Sequence, residues 1–427
     1  MFKYVYSVIL CIFLFFLVFF SANDFALLQQ NETSIYSQNY AGLKIVDWFS
    51  IILIALGVIN IFYNKFIFVS KIQKSLFLFL IAVLYGILIA IYNKNSLDLN
   101  QIGLQTWKYI IYAFFIGLTL INFKFTEKHL LFFVEYFLLL AFIKSSTGLI
   151  NYFSGNGHNF YFLGKIVFST VDTLYIICVA YFYVLNRIIF KNNKKYYFIY
   201  IIVFLLVILF SLKRNFLLII TVGSLLTLIF STLKGKAKII LLSLLVCLCM
   251  LPSVFYGGID IDTIFMRIKG INIFNEENNL NKLTSDNGHL DDIYDGIDNV
   301  KKSPIFGQGF NTFIERYRVT WQESSTFLHN AYLTVWINMG ILGLVLYINI
   351  IFTIFRDGFT NFYNTSSENK IIKLFLMQIS VSIFIDGIAF APIYTFPTIF
   401  NIIIILISIV ILLKIKKDSK LGEYYGK

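Results

Sequence analysis

Charged side chains are scarce in this sequence: Asp, Glu, Lys and Arg make up 14% of its 427 residues, against roughly 25% in an average globular protein. Hydrophobic residues make up 58%. A soluble protein of this size could not bury so much apolar surface and still present a polar exterior. The shortage of charge therefore excludes a cytosolic enzyme, a disordered chain and a small secreted module. It leaves a polytopic membrane protein.

Cysteine is also scarce, and no cysteine lies in a polar loop. The four residues all fall inside apolar segments: Cys11, Cys178, Cys247 and Cys249. Buried thiols usually behave as small hydrophobic side chains, and we favour this interpretation over a metal or redox site. Disulfide chemistry therefore gives no indication of the compartment.

Apolar stretches long enough to cross a bilayer recur along the chain, and they predict an all-α polytopic membrane protein with about twelve transmembrane helices. The predicted spans are 4–22, 43–63, 75–92, 107–121, 129–150, 166–185, 196–212, 215–232, 237–255, 330–355, 371–391 and 396–414. The first is interpreted as an anchor and not as a cleaved signal. The predicted organisation is spans one to nine in 1–251, a large external loop in 252–328, spans ten to twelve in 329–414, and a tail in 415–427.

The basic residues predict the orientation of the chain. Each connection is numbered by the predicted span that it follows. The even-numbered short connections and their edges contain fifteen Lys and Arg residues, whereas the odd-numbered ones contain six. Because an excess of Lys and Arg marks the cytoplasmic side, both termini are predicted to be cytoplasmic and the large loop extracytoplasmic. The net charge of +12 is spread between the apolar segments, so nucleic acid is not an expected partner.

The large loop contains a predicted amphipathic helix near 288–302, indicated by apolar residues three or four apart: Leu290, Ile293, Ile297 and Val300. Aspartates are frequent in the same segment, but their spacing is not that of a calcium loop. We therefore expect them on a solvated helix face and predict no metal site.

Charged residues within predicted spans by default mark a functional cavity. Lys144, Asp172 and Asp386 lie near the predicted outer ends of their spans, whereas Glu135 lies deeper. Lys144 and Asp386 are therefore candidate substrate-binding residues. The alternatives are that Lys144 extends its ammonium group to the interface, or that it pairs with Asp172.

Two further features lie on the predicted outer side. Lys213 and Arg214 occupy a very short connection where the positive-inside rule disfavours cations. Arg214 offers a fork of donors for phosphate or carboxylate, with Lys213 as a second charge, although contact with lipid headgroups is an alternative. His329 begins span ten, where a histidine can act as a general base or simply be exposed without a role.

The order of motifs in this region resembles that of the O-antigen ligase and O-antigen or capsule polymerase (Wzy-type) superfamily. The motifs are Pro304-x-x-Gly307-x-Gly309-Phe310, His329-Asn330-x-Tyr332-Leu333, Gly340-Ile341-Leu342-Gly343-Leu344 and the earlier Ser211-x-x-Arg214. About a dozen spans and a large external loop in the C-terminal half are also similar to that superfamily. Two departures are His289, where many relatives have arginine, and Asn338, where an acidic residue is often found.

The resemblance implies a glycosyltransferase that uses polyprenyl-diphosphate-linked glycans outside the cytoplasmic membrane, without a nucleotide sugar, a cofactor or a metal. It implies that His329 and Arg214 are catalytic. The further substrate-binding candidates are Lys213, Arg267, His289, Arg316, Arg318 and Asn330. The implied partners are an undecaprenyl-diphosphate-linked oligosaccharide, membrane lipids, a flippase and a chain-length regulator.

Three functions remain open at this point. The leading hypothesis is polymerisation of a lipid-linked surface polysaccharide, an O-antigen of lipopolysaccharide or a capsule, in the inner membrane. A ligase would instead transfer the glycan to a lipid A core. A flippase belongs to another class, and it is disfavoured because no two related halves are detectable in the chain.

Overall fold

The structure is a computed structural model that describes residues 2–20, 39–40, 43–64, 69–95, 102–123, 125–156, 158–159, 165–168, 171–191, 195–211, 213–233, 235–237, 239–240, 285–315, 324–325, 328, 330–389, 406–407 and 409–411. Its longer helices are α1 (Phe2–Phe20), α2 (Ile45–Asn64), α3 (Lys71–Tyr92), α4 (Ile102–Asn122), α5 (Glu127–Asn151), α6 (Val171–Phe190), α7 (Tyr196–Phe210), α8 (Arg214–Phe230), α9 (Ser285–Lys302), α10 (Ala331–Phe359) and α11 (Ser367–Ala389). A π-helical turn, Tyr152–Asn156, follows α5.

Three antiparallel pairs of two-residue strands lie in the described connections. They are β1 (Asn39–Tyr40) with β2 (Leu43–Lys44), β3 (His158–Asn159) with β4 (Lys165–Ile166), and β5 (Ile314–Glu315) with β6 (Ser324–Ser325). These pairs are too short to form a layer of their own, so the described fold is built from helices.

The all-α membrane fold is confirmed. Helices α2, α3, α5, α6, α10 and α11 each contain a stretch long and apolar enough to cross a membrane. Shorter apolar stretches occur in α1, α4, α7 and α8. Predicted spans one to eight, ten and eleven coincide with described helices, whereas 237–255 and 396–414 lie mostly outside the described residues. The total of twelve, the orientation and the extent of the large loop stay predictions.

The predicted start of the sixth span is wrong by five residues. Helix α6 begins at Val171, whereas the prediction began at position 166. Ile166 pairs with His158 in the β3–β4 ladder, and the Val167 N–H donates to the carbonyl of Phe210 at 3.4 Å. Backbone groups engaged in these bonds are not available to an α-helix.

The helices contact one another in a closed circuit. Each helix contacts the next in the order α1, α2, α4, α3, α10, α11, α6, α7 and α5, and α5 in turn contacts α1. Helix α8 packs against α6 and α11. Buried aliphatic and aromatic side chains, such as Phe13, Phe79 and Phe133, form a hydrophobic core cluster between these helices.

Helix α10 is interrupted at Gly340, whose backbone angles are φ 66° and ψ −169°. Only glycine adopts this conformation readily. Loop 304–310 docks into the interruption through three backbone hydrogen bonds: Gln308 N to Ile337 O at 2.6 Å, Gly309 N to Asn338 O at 3.1 Å, and Ile341 N to Pro304 O at 3.1 Å. The break in α10 is therefore stabilised by chain from before the helix.

The amphipathic helix predicted in the large loop is present as α9, but its buried face coincides only in part with the predicted one. Ile293 and Val300 pack toward the start of α10, whereas Ile297 is 40% exposed. Asp292 and Asp295 are buried, so the expected solvated acidic face is wrong for them. The reason is that Gly296 lies in close contact with Leu328 and with Leu333 of α10. A Cβ on Gly296 would lie 2.6 Å from the side chain of Leu328.

Candidate functional site

Side-chain bonds fix the start of α10 against the end of α11. Asn330 caps α10 by accepting a hydrogen bond from Leu333 N at 3.0 Å, as expected for this residue type at a helix start. Its Nδ2 donates to the carbonyl of Ile388 at 3.0 Å. The Tyr332 hydroxyl donates to the carbonyl of Phe384 at 2.9 Å. Residues 330–332 and 384–388 therefore lie at the same end of the helix bundle.

Asp386 joins this end of α11 to the start of α8. Its side chain is fully buried, and Oδ1 accepts a hydrogen bond from Asn215 Nδ2 at 2.9 Å. Lys213, which precedes α8, interacts electrostatically with the Asp386 carboxylate. The turn between α7 and α8 is thereby brought to the buried acid.

Two buried polar atoms near this contact have no hydrogen-bond partner in the described part of the chain: Oδ2 of Asp386 and the hydroxyl of Tyr175. Tyr175 is 1% exposed and interacts electrostatically with Asp386. Buried polar atoms in proteins are nearly always hydrogen-bonded, so such a pair marks a place for water or a polar ligand. We call Lys213, Asn215, Asn330, Asp386 and Tyr175 the Asp386 cluster.

The structure brings together three of the residues predicted from the sequence, namely Lys213, Asn330 and Asp386. It places Lys144 elsewhere: the buried Lys144 ammonium donates to the carbonyl of Val18 at 2.6 Å and so links α5 to α1. The side chain of Asp172 lies outside the described residues, so its pairing with Lys144 stays a prediction.

Glu135, the deeper of the charged residues predicted within spans, accepts hydrogen bonds from the hydroxyls of Tyr196, at 3.1 Å, and Tyr197. These contacts join α5 to the start of α7. They give Glu135 a role in helix packing, at the end of α7 remote from the Asp386 cluster.

The remaining predicted site residues lie wholly or partly outside the described residues. His329, Arg267, Arg316 and Arg318 are outside altogether. For Arg214 and His289 the backbone is described, in α8 and α9 respectively, and the side chain is not. Within the described ranges no group of three or more His, Cys, Asp and Glu side chains is placed to hold a metal ion.

Sequence reasoning missed Asn215 and Tyr175. A signal for Asn215 existed, since it directly follows the two cations that stood out and is the first residue of the predicted eighth span. No signal distinguished Tyr175, because the sequence has 27 tyrosines and most of them lie in apolar segments. Only the buried position beside Asp386 singles it out.

These features define a multi-pass helical membrane protein with a polar cluster buried at one end of the bundle. The family model described as O-antigen ligase matches residues 198–348, about a third of the chain. The matched stretch includes the turn at 213–215, helix α9 and the motifs from Pro304 to Gly343. It confirms the resemblance to the O-antigen ligase and Wzy-type superfamily and supports a role in lipid-linked polysaccharide biosynthesis. A comparison with curated proteins finds no match.

Proposed function

We propose that the protein polymerises a lipid-linked surface polysaccharide by transferring glycan from undecaprenyl diphosphate to a sugar hydroxyl of another lipid-linked unit. The family match supports the coarser part of this proposal, a membrane glycosyltransferase of the ligase or polymerase type. The observation that carries it further is the bond between Asn215 and Asp386. This bond unites the turn containing Arg214 with the helix end that Asn330 fixes.

In the proposed reaction the acceptor hydroxyl oxygen attacks the anomeric carbon of the donor sugar. The bond between that carbon and the phosphate oxygen breaks, and undecaprenyl diphosphate leaves with the electron pair. His329 takes the hydroxyl proton as general base. Arg214 donates to the diphosphate oxygens, and the Lys213 ammonium adds charge stabilisation where negative charge develops.

We assign Asp386 and Asn330 as positioning residues in this mechanism. Asp386 holds Asn215, the neighbour of Arg214, through a buried hydrogen bond. Asn330, the neighbour of His329, is held on one side by Leu333 and on the other by Ile388. Each proposed catalytic residue therefore directly precedes a residue whose side chain is anchored in the bundle. Preorganisation of this kind lowers the cost of reaching the transition state.

A ligase is the second candidate, because the matching family model is described as O-antigen ligase. The two functions share the donor and the proposed catalytic residues. They differ in the acceptor, which is a lipid A core for the ligase and a lipid-linked repeat unit for the polymerase.

The functions are separated by glycan analysis of cells that lack the gene and carry His329→Ala, Arg214→Ala or wild-type protein. Single-unit glycans that still reach the surface of the variant cells support a polymerase. Bare surfaces with long polymer accumulating on the carrier lipid support the ligase. Lipid-linked units that remain on the cytoplasmic face contradict both and indicate a flippase.

The role of the cluster is tested by Asn215→Ala, with Thr221→Ala as the control on an exposed face of α8. A hydrogen bond to a charged group contributes about 1.5–3 kcal/mol, so turnover is expected to fall about 10- to 150-fold. Turnover per folded molecule is measured with purified protein and lipid-linked repeat units, together with the melting temperature. A loss of turnover that only follows a loss of folded protein would contradict the positioning role.

A further inference from the structure

A second polar site lies at the opposite end of α10 from the Asp386 cluster. It is a cavity of about 570 Å³ between the start of α3, the last turns of α10, the turn that follows α10 and the start of α11. Helix α10 has 29 residues, so its two ends are roughly 40 Å apart at 1.5 Å per residue. The cavity is therefore separate from the proposed transferase site.

The cavity is lined by three cations, Lys71, Arg356 and Lys373, and among its described lining residues Asp357 is the single carboxylate. Lys373 is only 3% exposed, and its ammonium donates to the carbonyl of Thr360. This bond keeps a cation at the wall of the cavity. The excess of positive charge favours an anionic ligand.

Neutral donors complete the lining. Asn361 and Asn364 contribute carboxamides from the turn after α10, and asparagine N–H groups are good donors to oxygen anions. A guanidinium group, two ammonium groups and amide donors around one space match the several acceptor oxygens of a phosphate group. The volume lies in the usual range for small-ligand sites.

Exposed aromatic side chains in the same segment as the lining residues favour a position of the cavity at the edge of the membrane. Phe352, Phe359 and Tyr363 are 58%, 52% and 66% exposed. The Arg356 guanidinium lies 5.9 Å from the centroid of the Phe352 ring. Exposed rings beside cations are typical of the level of the lipid headgroups. The phosphate is thus expected to come from a lipid whose acyl chains run beside Phe352, and the sequence predicts this end to be cytoplasmic.

We propose that this cavity binds the phosphate headgroup of an anionic phospholipid. Lys71 and Arg356 enter from two different helices, α3 and α10, so a headgroup that engages both would also link these helices. The proposal does not depend on the transferase function, since none of its residues belongs to the Asp386 cluster.

The test compares binding of phosphatidylglycerol, phosphatidylcholine and soluble glycerol phosphate to the full-length protein in detergent, measured by native mass spectrometry. The test variant is Lys71→Gln with Arg356→Gln. The matched control is Lys128→Gln with Lys236→Gln. Both lysines are exposed and are predicted to lie at the same end of the bundle, and the two substitutions remove the same charge as the test variant. Each cation near an anionic lipid raises the binding affinity about fivefold. Phosphatidylglycerol should therefore bind about 30-fold more weakly to the test variant, which lacks two cations.

The control variant is expected to keep wild-type affinity for phosphatidylglycerol. Equal losses in the two variants, or no loss in either, would overturn the proposal. Glycerol phosphate binding as tightly as phosphatidylglycerol would overturn the assignment to a lipid. A second variant, Asp357→Asn, removes the opposing charge and should tighten phosphatidylglycerol binding about fivefold, whereas weaker binding would contradict the proposed role of the cations.

Discussion

Replacement of Gly340 by alanine is the most direct test of how the start of α10 is positioned. A Cβ at this position would lie 2.1 Å from the carbonyl oxygen of Ile305 and 2.7 Å from the carbonyl carbons of Ile305 and Phe306. Carbon atoms in favourable contact are about 3.5–4.0 Å from their neighbours. Loop 304–310 would therefore have to withdraw from the break in α10 by more than an ångström.

The cost of Gly340→Ala follows from the bonds that such a withdrawal breaks. The loop is held by the three backbone hydrogen bonds to the break and by Trp336 Nε1, which donates to the carbonyl of Pro304 at 2.8 Å. Loss of two of these four bonds costs about 1 kcal/mol each. Alanine in a backbone conformation that suits glycine adds about 1–3 kcal/mol. We therefore expect Gly340→Ala to lower the free energy of unfolding by about 3–5 kcal/mol.

The loss is measured as the melting temperature of the purified protein in detergent, with Gly387→Ala as the matched control. A Cβ on Gly387 would approach only side-chain atoms of Tyr332, two ring carbons and the hydroxyl oxygen, at 3.1–3.3 Å, and a side chain can adjust by a few tenths of an ångström. Gly340→Ala should melt about 3–6 °C below wild type, and Gly387→Ala should melt close to wild type. Equal melting temperatures for Gly340→Ala and wild type would refute the docking of loop 304–310 into α10.

Two further predictions concern hydrogen bonds that join distant segments. Gln378→Leu should lower the free energy of unfolding by about 2 kcal/mol. Gln378 hydrogen-bonds to Asn186, Gly223 and Thr227 inside the bundle, and such bonds contribute about 0.6 kcal/mol each in membranes. An unchanged melting temperature would contradict this prediction. Asn95→Ala should destabilise the folded protein more than Asn93→Ala. The reason is that Asn95 Nδ2 donates to three acceptors in residues 308–312, whereas Asn93 Nδ2 donates to one. Equal decreases in the melting temperature would contradict this prediction.

The helices could be predicted from the sequence because a membrane span must be long and apolar along its own length. That requirement is local, so predicted spans such as 75–92 and 371–391 coincide with α3 and α11 to within about one turn at each end. The start of α6 was predicted wrongly for the opposite reason. Ile166 is apolar enough for a span, but its backbone is paired with a strand that precedes it in the chain.

The candidate site could be predicted only in part because it is a tertiary contact. Asp386 stood out as an acid in an apolar helix, but its partner Asn215 is 171 residues away in sequence and no local pattern connects the two. The buried face of α9 shows the same limit. Its polar residue Asn299 is satisfied by the carbonyls of Asp295 and Glu315, and hydrophobic periodicity does not register such partners.

The separate glycine motifs of the sequence form a single joint in the structure. Gly307 has φ 79° and lies against Gly340, where a Cβ would come within 2.5 Å of the Gly340 nitrogen. Gly309 has φ 84° and lies against Ala90 of α3, where a Cβ would come within 2.4 Å of the Ala90 nitrogen. Loop 304–310 therefore fits between α3 and the break in α10 only because neither glycine has a side chain. Gly340 lies ten residues after Asn330, so these glycines affect the candidate site by setting the orientation of the first turns of α10. Substitutions of the glycines should therefore alter the geometry of the site without removing any group that contacts substrate.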